Sequence, residues 1–547
     1  MEISVKPSGY TIVKDIRSGM QAQTFLSPVR GQQNTYWTSY RWLPALKQAN
    51  GALPEIDGRE HLDRLVSRHV HVKEHKAKGI CFPPSKHLAF KLWPHQEHAA
   101  TLMRLAKRFY LADAVGLGKT LSTLQAIMTL RTSINRVLVL CPSSVIYQWK
   151  DEIEAAVKPE FHKDYRVVIV RGTPKERDKA YATPGLIYLM TYESLLADTK
   201  RFKGEWGFPV HPDVLVLDEA WKVKSRTSLT NKALRLLSRP IEYRWALNGT
   251  PITNRYEDLF GVYLILDPLM FLSWKNFATR YCNTRMIQLR NGRQFPKIVS
   301  YRRIDELQAL TSTTMIRRTK EDLGWETAHV LVNNYWVDLS TYQSVAYTKI
   351  LRADINPLEK GVRARIACLI DQPPEQSPKI RQLQEILTEI IPNESAIVFS
   401  ESKRFLMILL PILQKAGVTV STISGDDTME DRAAKVHRFT KKQTRVLLMT
   451  AAGEAGLNLQ AADVCINLDL PYSPARLQQR VGRLRTHLGG KDRHVCVLNI
   501  LARNTIEESI IGMLRKKLRH ISQFFGAAAE DFTGCFDAEK LLNEHNT

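Results

Sequence analysis

The sequence predicts an α/β protein in which two lobes, each built on a parallel β-sheet, are joined by a helical insertion and preceded by a small N-terminal accessory domain. Three observations support this fold class. Short, almost continuously apolar runs alternate with helical stretches in two separate parts of the chain, as expected of parallel strands covered on both faces. A charged, mostly helical segment separates these two parts. The length of 547 residues is sufficient for roughly three or four domain-sized units.

The predicted elements follow in order along the chain. Residues 1–85 show no α/β alternation, and we expect them to form the accessory domain. The strand-like runs of the first lobe, residues 86–265, are RVLVLCP, GLIYLMT, VLVLDEA and YRWALNGTP. Those of the second lobe, residues 380–520, are SAIVFS, VTVSTISG, TRVLLMT, ADVCINLDLP and HVCVLNI. The helical insertion, residues 266–379, ends in the linker-like DQPPEQSP, and residues 521–547 form a C-terminal tail.

The charge balance of the chain is strongly basic. Lys and Arg together number 78 and Asp and Glu 55, which gives a formal net charge of +23. Such an excess favours a polyanionic partner, above all nucleic acid, although a protein can also be basic without one. Two basic segments, RMIQLRNGRQFPK and RADINPLEKGVRARI, are candidates for contact with a duplex, and the alternative for both is a solvated surface.

Targeting and cysteine patterns indicate a cytoplasmic protein without a membrane partner. No apolar run approaches the roughly 20 residues needed to span a bilayer, and MEISVKPSGY lacks the apolar core of a secretory signal. The seven cysteines include no Cys-x-x-Cys pair, which argues against a disulfide framework and a structural zinc. The stretch RHVHVKEH contains His69, His71 and His75, and its alternate spacing could place His69 and His71 on one face of a strand as metal ligands, although no Cys or paired carboxylate completes such a site.

A Gly-rich segment shortly before a helical pattern is typical of a phosphate-binding loop. It reads DAVGLGKT and comprises Asp113, Ala114, Val115, Gly116, Leu117, Gly118, Lys119 and Thr120. Small residues let backbone N–H groups approach phosphate oxygens, Lys119 can reach the β- and γ-phosphates, and the Thr120 hydroxyl can bind Mg²⁺. The strict pattern has glycine where Asp113 stands, so this segment alone leaves a chance glycine-rich turn open.

Two adjacent carboxylates end the apolar run VLVLDEAW. Asp218 is suited to hold Mg²⁺ and Glu219 to polarise an attacking water. A pair of this kind at the tip of a buried strand, downstream of a phosphate-binding loop, predicts hydrolysis of a nucleotide.

Further candidates lie on either side of these two motifs. Gln96, in LWPHQ, is a candidate for recognising the adenine edge, and Thr250, in LNGTPITN, is a candidate for a coupling hydroxyl. In QQRVGRL and just after it, Arg483 is the first candidate for stabilising charge on the γ-phosphate, and Arg480 or Arg485 is the second. The alternative for these arginines is a basic, solvated helix face.

Taken in order, the motifs resemble those of the Swi/Snf-type ATPases of helicase superfamily two. The resemblance covers residues 90–520. It rests on LWPHQ, DAVGLGKT, CPSSVIYQW, MTYESL, LVLDEAW, LNGTPITN, MIRRTKEDL, IVFSESKRF, ISGDDTMEDR, TAAGEAGLNLQ and QRVGRL. The family writes its phosphate loop as DEMGLGKT, which accounts for Asp113. The last motifs are most similar in form to those of bacterial, archaeal and viral members.

The resemblance implies two RecA-like lobes with ATP between them, ATP and Mg²⁺ as cofactors, and hydrolysis stimulated by double-stranded DNA, along which the protein moves. It implies DNA contacts in both lobes, at Ser143, Ser144, Gln148, Trp149, Thr191, Tyr192, Ser424, Gly425, Thr450 and Gly453. It also implies that Trp221, Thr250 and Gly456 couple the ATP site to the DNA.

Two positions depart from the family pattern. Trp221 stands where the family usually has His after Asp-Glu-Ala, which puts the polar link from the magnesium site in question. The second arginine of the family's arginine motif falls at Thr486, with Arg485 one residue earlier. One residue turns a helical side chain by about 100°, so the role of the second arginine stays open.

Three classes of function are compatible with the sequence. The first is an ATP-dependent translocase on double-stranded DNA that remodels or displaces branched DNA or a DNA-bound protein, such as a polymerase engaged through residues 1–85. The second is an RNA or single-strand helicase of the same superfamily, although MIRRTKEDL and the long insertion favour the first. The third is a non-hydrolysing nucleic-acid-binding scaffold, and four intact residues argue against it: Lys119, Asp218, Glu219 and Arg483. The motif style indicates a prokaryotic or viral origin, and a eukaryotic member would be nuclear.

Overall fold

The computed structural model describes residues 2–5, 10–14, 27–28, 35–39, 56–57, 59–202, 208–252, 255–288, 294–325, 329–450, 462–481, 484 and 494–525. The chain divides into two compact units. The first comprises residues 1–113 and 117–317, and the second comprises residues 114–116 and 318–547.

A small sheet opens the first unit. Its strands are β1 Glu2–Val5, β2 Tyr10–Lys14, β3 Ser27–Pro28, β4 Thr35–Ser39 and β5 Ile56–Asp57, in the order β3-β4-β2-β1-β5. Neighbouring strands are antiparallel except β1 and β5, which are parallel. The sheet lies within the predicted accessory region.

Helix α1, Arg59–Lys78, also lies within the predicted accessory region, but it packs on the first lobe. Val72 is buried in the core of that lobe, and Lys76 Nζ donates hydrogen bonds to the carbonyl oxygens of Ser312 and Met315 at 2.6 and 2.9 Å. The first lobe therefore begins near the start of α1, earlier in the chain than predicted.

The histidines of this region lie on α1, so the hypothesis of a metal site on a strand is wrong. Residues two apart share a face of a strand but not of a helix. His75 Nδ1 instead lies 2.9 Å from the carbonyl oxygen of His71. Within the part of the chain that the structure describes, no cluster of His, Cys, Asp or Glu is suited to hold a metal ion by itself.

A parallel sheet forms the centre of the first lobe. The further strands of this unit are β6 Arg108–Leu111, β7 Val137–Cys141, β8 Val167–Val170, β9 Ile187–Thr191, β10 Val214–Asp218, β11 Tyr243–Leu247, the hairpin strands β12 Cys282–Gln288 and β13 Gln294–Tyr301, and β14 Met315–Ile316. The large sheet has the order β14-β6-β11-β10-β7-β9-β8, and all its neighbours are parallel. The central strands β7 and β9 are buried along their whole length, which is why their sequences are continuously apolar.

Helices cover both faces of this sheet. They are α2 Pro94–Ala106, α3 Lys119–Thr129, α4 Ile146–Ala156, α5 Pro174–Ala182, α6 Tyr192–Arg201, α7 Leu229–Leu237, α8 Glu257–Leu266, α9 Trp274–Tyr281 and α10 Ile304–Thr311. Four of them begin at a Ser or Thr whose hydroxyl accepts a backbone N–H, a standard start signal for helices: Thr173, Thr191, Ser228 and Ser273.

The second unit contains another parallel sheet. Its strands are β15 His329–Val337, β16 Ala396–Phe399, β17 Val420–Ile423, β18 Val446–Met449, β19 Val464–Asn467 and β20 His494–Ala502, in the order β15-β20-β19-β16-β18-β17. All neighbours are parallel. The helices are α11 Thr341–Arg352, α12 Pro357–Ala367, α13 Pro378–Glu385, α14 Lys403–Lys415, α15 Met429–Thr440, α16 Pro474–Val481 and α17 Ile506–Phe525.

The predicted α/β class with two parallel-sheet lobes is confirmed, and each strand-like run named from the sequence contains a strand of one of the two sheets. The predicted helical insertion differs from the structure. It contains the β12–β13 hairpin, it supplies β14 to the first sheet and β15 to the second, and the boundary between the two units falls inside it, after Arg317. A separate finding is that no described helix is both long enough and apolar enough to cross a membrane.

Candidate active site

The predicted site residues of the first lobe meet at one edge of the sheet. The strands β6, β11 and β10 are neighbours in the sheet. The phosphate-loop sequence follows the carboxyl end of β6, the LNGTPITN segment lies at that of β11, and the paired carboxylates lie at that of β10. Ligands of open parallel sheets bind at the carboxyl ends of strands. The fold thus brings together three motifs that are up to about 140 residues apart in the chain.

Glycines shape the phosphate-loop segment. Gly116 and Gly118 have φ angles of 90° and 73°, in the region that L side chains rarely adopt. A Cβ on Gly118 would also lie 2.2 Å from Nε2 of Gln96. Helix α3 begins at the next residue, Lys119, and the N-terminal end of a helix is favourable for binding an anion.

Gln96 and the preceding His95 brace this loop from α2. The Gln96 Nε2 donates a 3.3 Å hydrogen bond to the carbonyl oxygen of Leu117, and His95 Nε2 lies 3.0 Å from the same oxygen. The Gln96 Oε1 accepts a 3.1 Å bond from the backbone N–H of Trp93. The side chain predicted to recognise adenine is therefore joined directly to the phosphate loop.

Lys119 lies inside this edge of the sheet. Its Nζ donates a 2.8 Å hydrogen bond to the backbone carbonyl of Asp113. Burial lowers the pKa of Lys119, and the negative charges of Glu219, Asp113 and Asp218 oppose that shift. The structure thus places the predicted lysine close enough to both predicted carboxylates for their charges to act on it.

Asp218 is held in place by two donors. Trp149 Nε1 donates to its Oδ2 at 2.8 Å, and the backbone N–H of Glu219 donates to its Oδ1 at 2.9 Å. Burial, together with the charge of Glu219, nonetheless raises the pKa of Asp218 to about 6. Two adjacent carboxylates that are costly to ionise together are a setting in which a cation binds favourably.

Glu219 has a left-handed backbone and a fixed side chain. Its φ of 50° is unusual for a residue with a Cβ and is a local source of strain. Trp221 Nε1 donates a 2.8 Å hydrogen bond to its Oε2. The residue that replaces the family's usual histidine therefore contacts the predicted catalytic base directly.

Three predicted DNA contacts lie inside the lobe. Trp149 is 3% exposed and bound to Asp218, and Tyr192 is 2% exposed, with its hydroxyl donating to the carbonyl oxygen of Asp218 at 2.6 Å. Thr191 is 6% exposed and caps α6 through its hydroxyl. Because these three side chains are buried and hydrogen-bonded within the lobe, they stabilise the site and do not face solvent. Of the other predicted DNA contacts in this lobe, Ser143 and Gln148 are exposed and Ser144 is half-buried.

The sequence interpretation missed several residues of this site. Glu152, on α4, bonds the hydroxyl of Thr120 and accepts from Gln148 Nε2 at 2.7 Å, and burial raises its pKa. Arg317, in the MIRRTKEDL segment, donates to the carbonyl oxygens of Gly249 and Ala112 at 2.6 and 3.3 Å. Glu152 follows Gln148 by four residues, a spacing that places both on one face of α4 and was a usable signal.

Thr250, the predicted coupling residue, is 5% exposed at the end of β11. Its backbone N–H donates to Asn248 Oδ1 at 3.2 Å, and Asn248 Nδ2 donates to its carbonyl oxygen at 2.8 Å. These bonds fix the backbone of the loop that also receives Arg317.

In the second unit, Arg480 is fully buried on α16. Its guanidinium donates to Asn467 Oδ1, to the carbonyl oxygen of Asp469 and to Glu401 Oε1 at 2.8, 2.9 and 2.5 Å. Burial would raise the pKa of Glu401, but the charges of Arg480 and Arg476, together with the hydrogen bond from Arg476, outweigh it, and the pKa is lowered. An arginine so enclosed is a structural residue of its own lobe, which argues against it as the one that reaches a phosphate.

The other candidates of the second unit are partly described. Ser424 and Gly425 follow β17, where Arg432 Nη2 donates to their carbonyl oxygens at 3.0 and 3.3 Å. The backbone N–H of Thr450 donates to the carbonyl oxygen of Ile423 at 3.3 Å. Gly453, Gly456, Arg483 and Arg485 lie outside the described residues.

The donor set of the first lobe fits a hard divalent cation. A carboxylate, Asp218, and a hydroxyl, Thr120, are oxygen donors of the kind that Mg²⁺ takes when it also binds phosphates and water. Burial is the main reason why the pKa of Asp218 is raised, and a bound cation would offset that cost of holding the charge.

Two protein families match this chain. The SNF2-related domain matches residues 95–380, and the helicase conserved C-terminal domain matches residues 378–486. Together these matches cover the phosphate loop, the paired carboxylates and, in the second unit, the elements from β15 to α16.

Among curated relatives, a "Chromodomain-helicase-DNA-binding protein 1-like" of Danio rerio is 28% identical over 447 residues, covering 75% of this chain and 41% of that protein. The "Uncharacterized ATP-dependent helicase YqhH" of Bacillus subtilis is 25% identical over 489 residues, covering 80% of each chain. The chain thus spans less than half of the zebrafish relative.

Two solved structures are also similar to the chain. The Sulfolobus solfataricus SWI2/SNF2 ATPase core in complex with dsDNA has a TM-score of 0.39 and 22% identity, covering 84% of this chain and 98% of that one. The Pyrococcus furiosus Hef helicase domain has a TM-score of 0.44 and 16% identity, covering 76% and 96%.

Proposed function

Because this chain belongs to the SNF2-related family of helicase-like ATPases, we propose that it uses ATP hydrolysis to move along double-stranded DNA. One observation carries the proposal: Lys119, Asp218 and Glu219 meet at the carboxyl edge of one parallel sheet, close enough for their charges to interact. A lysine and two carboxylates at this place are the groups that phosphoryl transfer from ATP requires.

The roles of these groups follow from their chemistry. Lys119 and the N-terminus of α3 bind the phosphates, and Asp218 and Thr120 hold Mg²⁺. When bound, Mg²⁺ would neutralise charge on the phosphate oxygens. Glu219, fixed by Trp221, orients the attacking water and accepts its proton. Gln96 recognises the adenine while bracing the phosphate loop.

The second lobe supplies the remaining catalytic charge in this proposal. Arg483 stabilises the γ-phosphate in the transition state, as arginines do in related phosphoryl-transfer enzymes, and Arg485 is the alternative. The enclosed position of Arg480 supports this order of candidates. Thr250, Trp221 and Gly456 would transmit the state of the nucleotide to the DNA.

Double-stranded DNA is the proposed track. The net charge of +23 suits a polyanion, and the exposed Ser143 and Gln148 and the half-buried Ser144 follow β7 at the carboxyl edge of the first sheet. In the second lobe, Ser424, Gly425, Thr450 and Gly453 are the proposed contacts. An RNA or single-strand helicase is the alternative, and the substrate series below distinguishes the two.

The deciding experiment is an ATPase assay with matched duplex, forked, single-stranded and RNA substrates. We expect duplex DNA to stimulate turnover most. Glu219→Gln should bind ATP and duplex but lose hydrolysis, and Lys119→Ala should lose turnover altogether. Equal stimulation by RNA or single strands would favour the alternative, and unchanged turnover in Glu219→Gln would refute the assignment of the base.

Movement and displacement need a separate readout. We expect the protein to strip a third strand or a bound protein from a duplex only when ATP is hydrolysed, so Glu219→Gln should bind the same substrate and leave it intact. Turnover without any displacement would limit the function to hydrolysis. An enzyme of this kind would act in the prokaryotic cytoplasm or, in a eukaryote, in the nucleus.

The target is proposed to be selected through residues 1–85. Comparing the proteins retained by the full chain with those retained by a chain lacking its first 58 residues, which keeps α1, tests this directly. If the partner is bound equally by both, the small N-terminal sheet has no part in selecting it.

A further inference from the structure

The β12–β13 hairpin lies in a basic segment of the first unit outside the site, and its described strands are largely exposed. Between Asp267 and Asp305 the chain has no Asp or Glu, and its Lys and Arg residues are Lys275, Arg280, Arg285, Arg290, Arg293, Lys297, Arg302 and Arg303. The strands themselves are largely exposed, including the apolar Met286 and Val299, which are 56% and 52% exposed. A hairpin with this composition and exposure does not cover a hydrophobic core.

The hairpin is anchored firmly at its base. Tyr281 and Cys282 are buried, Tyr301 hydrogen-bonds the carboxylate of Glu257, and the backbone N–H of Arg302 donates to the carbonyl oxygen of Tyr281 at 3.0 Å. A two-stranded hairpin is only marginally stable by itself, so this attachment is what holds it as a defined arm. Seven residues of strand give the arm a length of about 24 Å.

Two cations lie directly opposite each other on this arm. Arg285 and Lys297 are cross-strand partners, and both side chains are exposed. Like charges in directly opposed positions destabilise a hairpin. Within the described part of the chain, neither side chain has an ion pair or a hydrogen bond that would offset this repulsion. An anion bound between them would relieve it.

We propose that this hairpin is a second DNA-binding element, in which Arg285 and Lys297 together contact the phosphate backbone of a duplex. The proposal rests on the proposed function and extends it to a surface outside the ATP site. Contacts of Lys and Arg with phosphates fix the position of a protein on DNA and do not depend on the base sequence. A two-stranded β-ribbon is narrow enough to enter the major groove.

A duplex suits this arm better than a single strand does. Single strands bind mainly by stacking their bases on aromatic side chains. Between Cys282 and Ser300 the only aromatic residue is Phe295, whereas cations are spread along the whole hairpin. The arm therefore offers charge along its length and little stacking surface.

The test measures duplex affinity over a range of salt concentrations by fluorescence anisotropy. Each neutralised phosphate contributes about 0.9 to the slope of log K against log salt, so Arg285→Gln with Lys297→Gln should lower the slope by about 2. The exchange Arg285→Lys with Lys297→Arg keeps both charges and should bind like the wild type. The matched control is Lys175→Gln with Lys179→Gln, an exposed pair on α5 that should leave the slope unchanged.

The outcomes separate this proposal from the proposed function. If wild-type protein shows no salt-dependent affinity for duplex DNA, the translocase proposal itself fails. If the wild type binds duplex but the Gln pair keeps its slope and affinity, or loses affinity only for single strands, the hairpin is not the proposed contact. ATP hydrolysis without DNA should be the same in all these variants, because none of the exchanged residues lies at the ATP site.

Discussion

The indole N–H of Trp221 donates a 2.8 Å hydrogen bond to the Oε2 of Glu219. The neighbouring carboxylate is held in the same way, since the indole of Trp149 donates to Oδ2 of Asp218 at 2.8 Å. An indole N–H is a donor only and does not titrate near neutral pH. The two carboxylates are thus oriented by groups whose protonation stays constant across the physiological range.

The first prediction concerns Trp221. Trp221→Phe removes the donor and keeps an aromatic ring, so Glu219 loses its orientation while the phosphate loop is unaffected. A lost hydrogen bond to a charged group corresponds to roughly a ten- to hundred-fold fall in kcat, with little change in the affinity for ATP. Steady-state kinetics with duplex DNA at saturation measure the split between kcat and KM.

A histidine at the same position gives the matching control. Trp221→His restores a donor but brings a group with an ordinary pKa of about 6.5. Its rate should therefore change between about pH 6 and 7 relative to the wild type. If Trp221→Phe keeps the wild-type kcat, the hydrogen bond to Glu219 has no role in orienting the base.

The second prediction concerns the pH dependence of stability. Folding raises the pKa of Asp218 from 3.8 to about 6, chiefly through burial. Between these two values the folded protein keeps a proton that the unfolded chain has released, so this group lowers stability as the pH rises through that window. Above pH 6, without Mg²⁺, Asp218→Asn should be more stable than the wild type by on the order of 2 kcal/mol.

Melting temperatures at two pH values test whether ionisation of the buried Asp218 lowers the stability of the fold. Near pH 4 the variant and the wild type should differ little in melting temperature, because the folded carboxyl is neutral and the unfolded one is only about half ionised. At pH 8 the variant should melt higher, and Mg²⁺ with ATP should narrow the gap by stabilising only the wild type. If Asp218→Asn melts at a lower temperature than the wild type at pH 8, the buried charge of Asp218 does not destabilise the folded protein.

The third prediction compares two glycines within helices. A Cβ on Gly261, in α8, would lie 1.7 Å from the backbone carbonyl oxygen of Lys224, whereas a Cβ on Gly512, in α17, would meet no atom within 4 Å. Backbone cannot move aside as a side chain can. Gly261→Ala should therefore cost more than about 2 kcal/mol, and Gly512→Ala should gain about 0.5–1 kcal/mol. Urea unfolding of both variants measures the difference, and equal effects would argue against the close approach of α8 to Lys224.

The fourth prediction concerns a buried ion pair in the second unit. Lys379 Nζ lies 2.8 Å from both carboxylate oxygens of Glu507 and donates to the carbonyl oxygens of Leu468 and Ile500 at 2.6 and 2.8 Å. Burial raises the pKa of Glu507 in spite of the opposing charge of Lys379. Lys379→Met leaves that carboxylate without its cation and should cost about 3–5 kcal/mol.

Adding a second exchange distinguishes loss of the pair from simple misfit. The double variant Lys379→Met with Glu507→Leu removes both charges and should recover a large part of the lost free energy of unfolding. If the double variant is as unstable as the sum of the two single variants, the pair is not coupled as the distances imply.

The sequence was sufficient to predict the two sheets and to identify the motifs that meet at one edge of the first sheet. Strands such as β7 and β10 are buried on both faces, so their apolar runs are unmistakable. Residues that belong to one short motif, such as Lys119 and Thr120, keep their local relation whatever the rest of the fold does. β14, with two residues, is too short for a pattern to emerge, and the four-residue β6 begins with the charged Arg108; both were missed.

Contacts between segments that are distant in the chain could not be predicted from the sequence. Trp149 lies 69 residues from Asp218 in the chain, and no spacing rule indicates that its indole reaches that carboxylate. The alternating RHVHV of α1 suggested a strand because period-two patterns also occur by chance in helices. For the β12–β13 hairpin, however, the dipeptide Asn291–Gly292 was a usable turn signal that the helical interpretation passed over.

The pairing of β6 with β14 sets an order of events during synthesis. The backbone N–H groups of Tyr110 and Ala112 donate to Thr314 and Ile316, which the ribosome adds about 200 residues later. At roughly 5–20 residues per second, β6 keeps an open edge for about 10–40 s after it emerges. The strand that leads into the phosphate loop is therefore the last interior strand of its sheet to gain a neighbour on both edges, and a nascent chain stalled before Thr314 exposes an edge on which aggregation can begin.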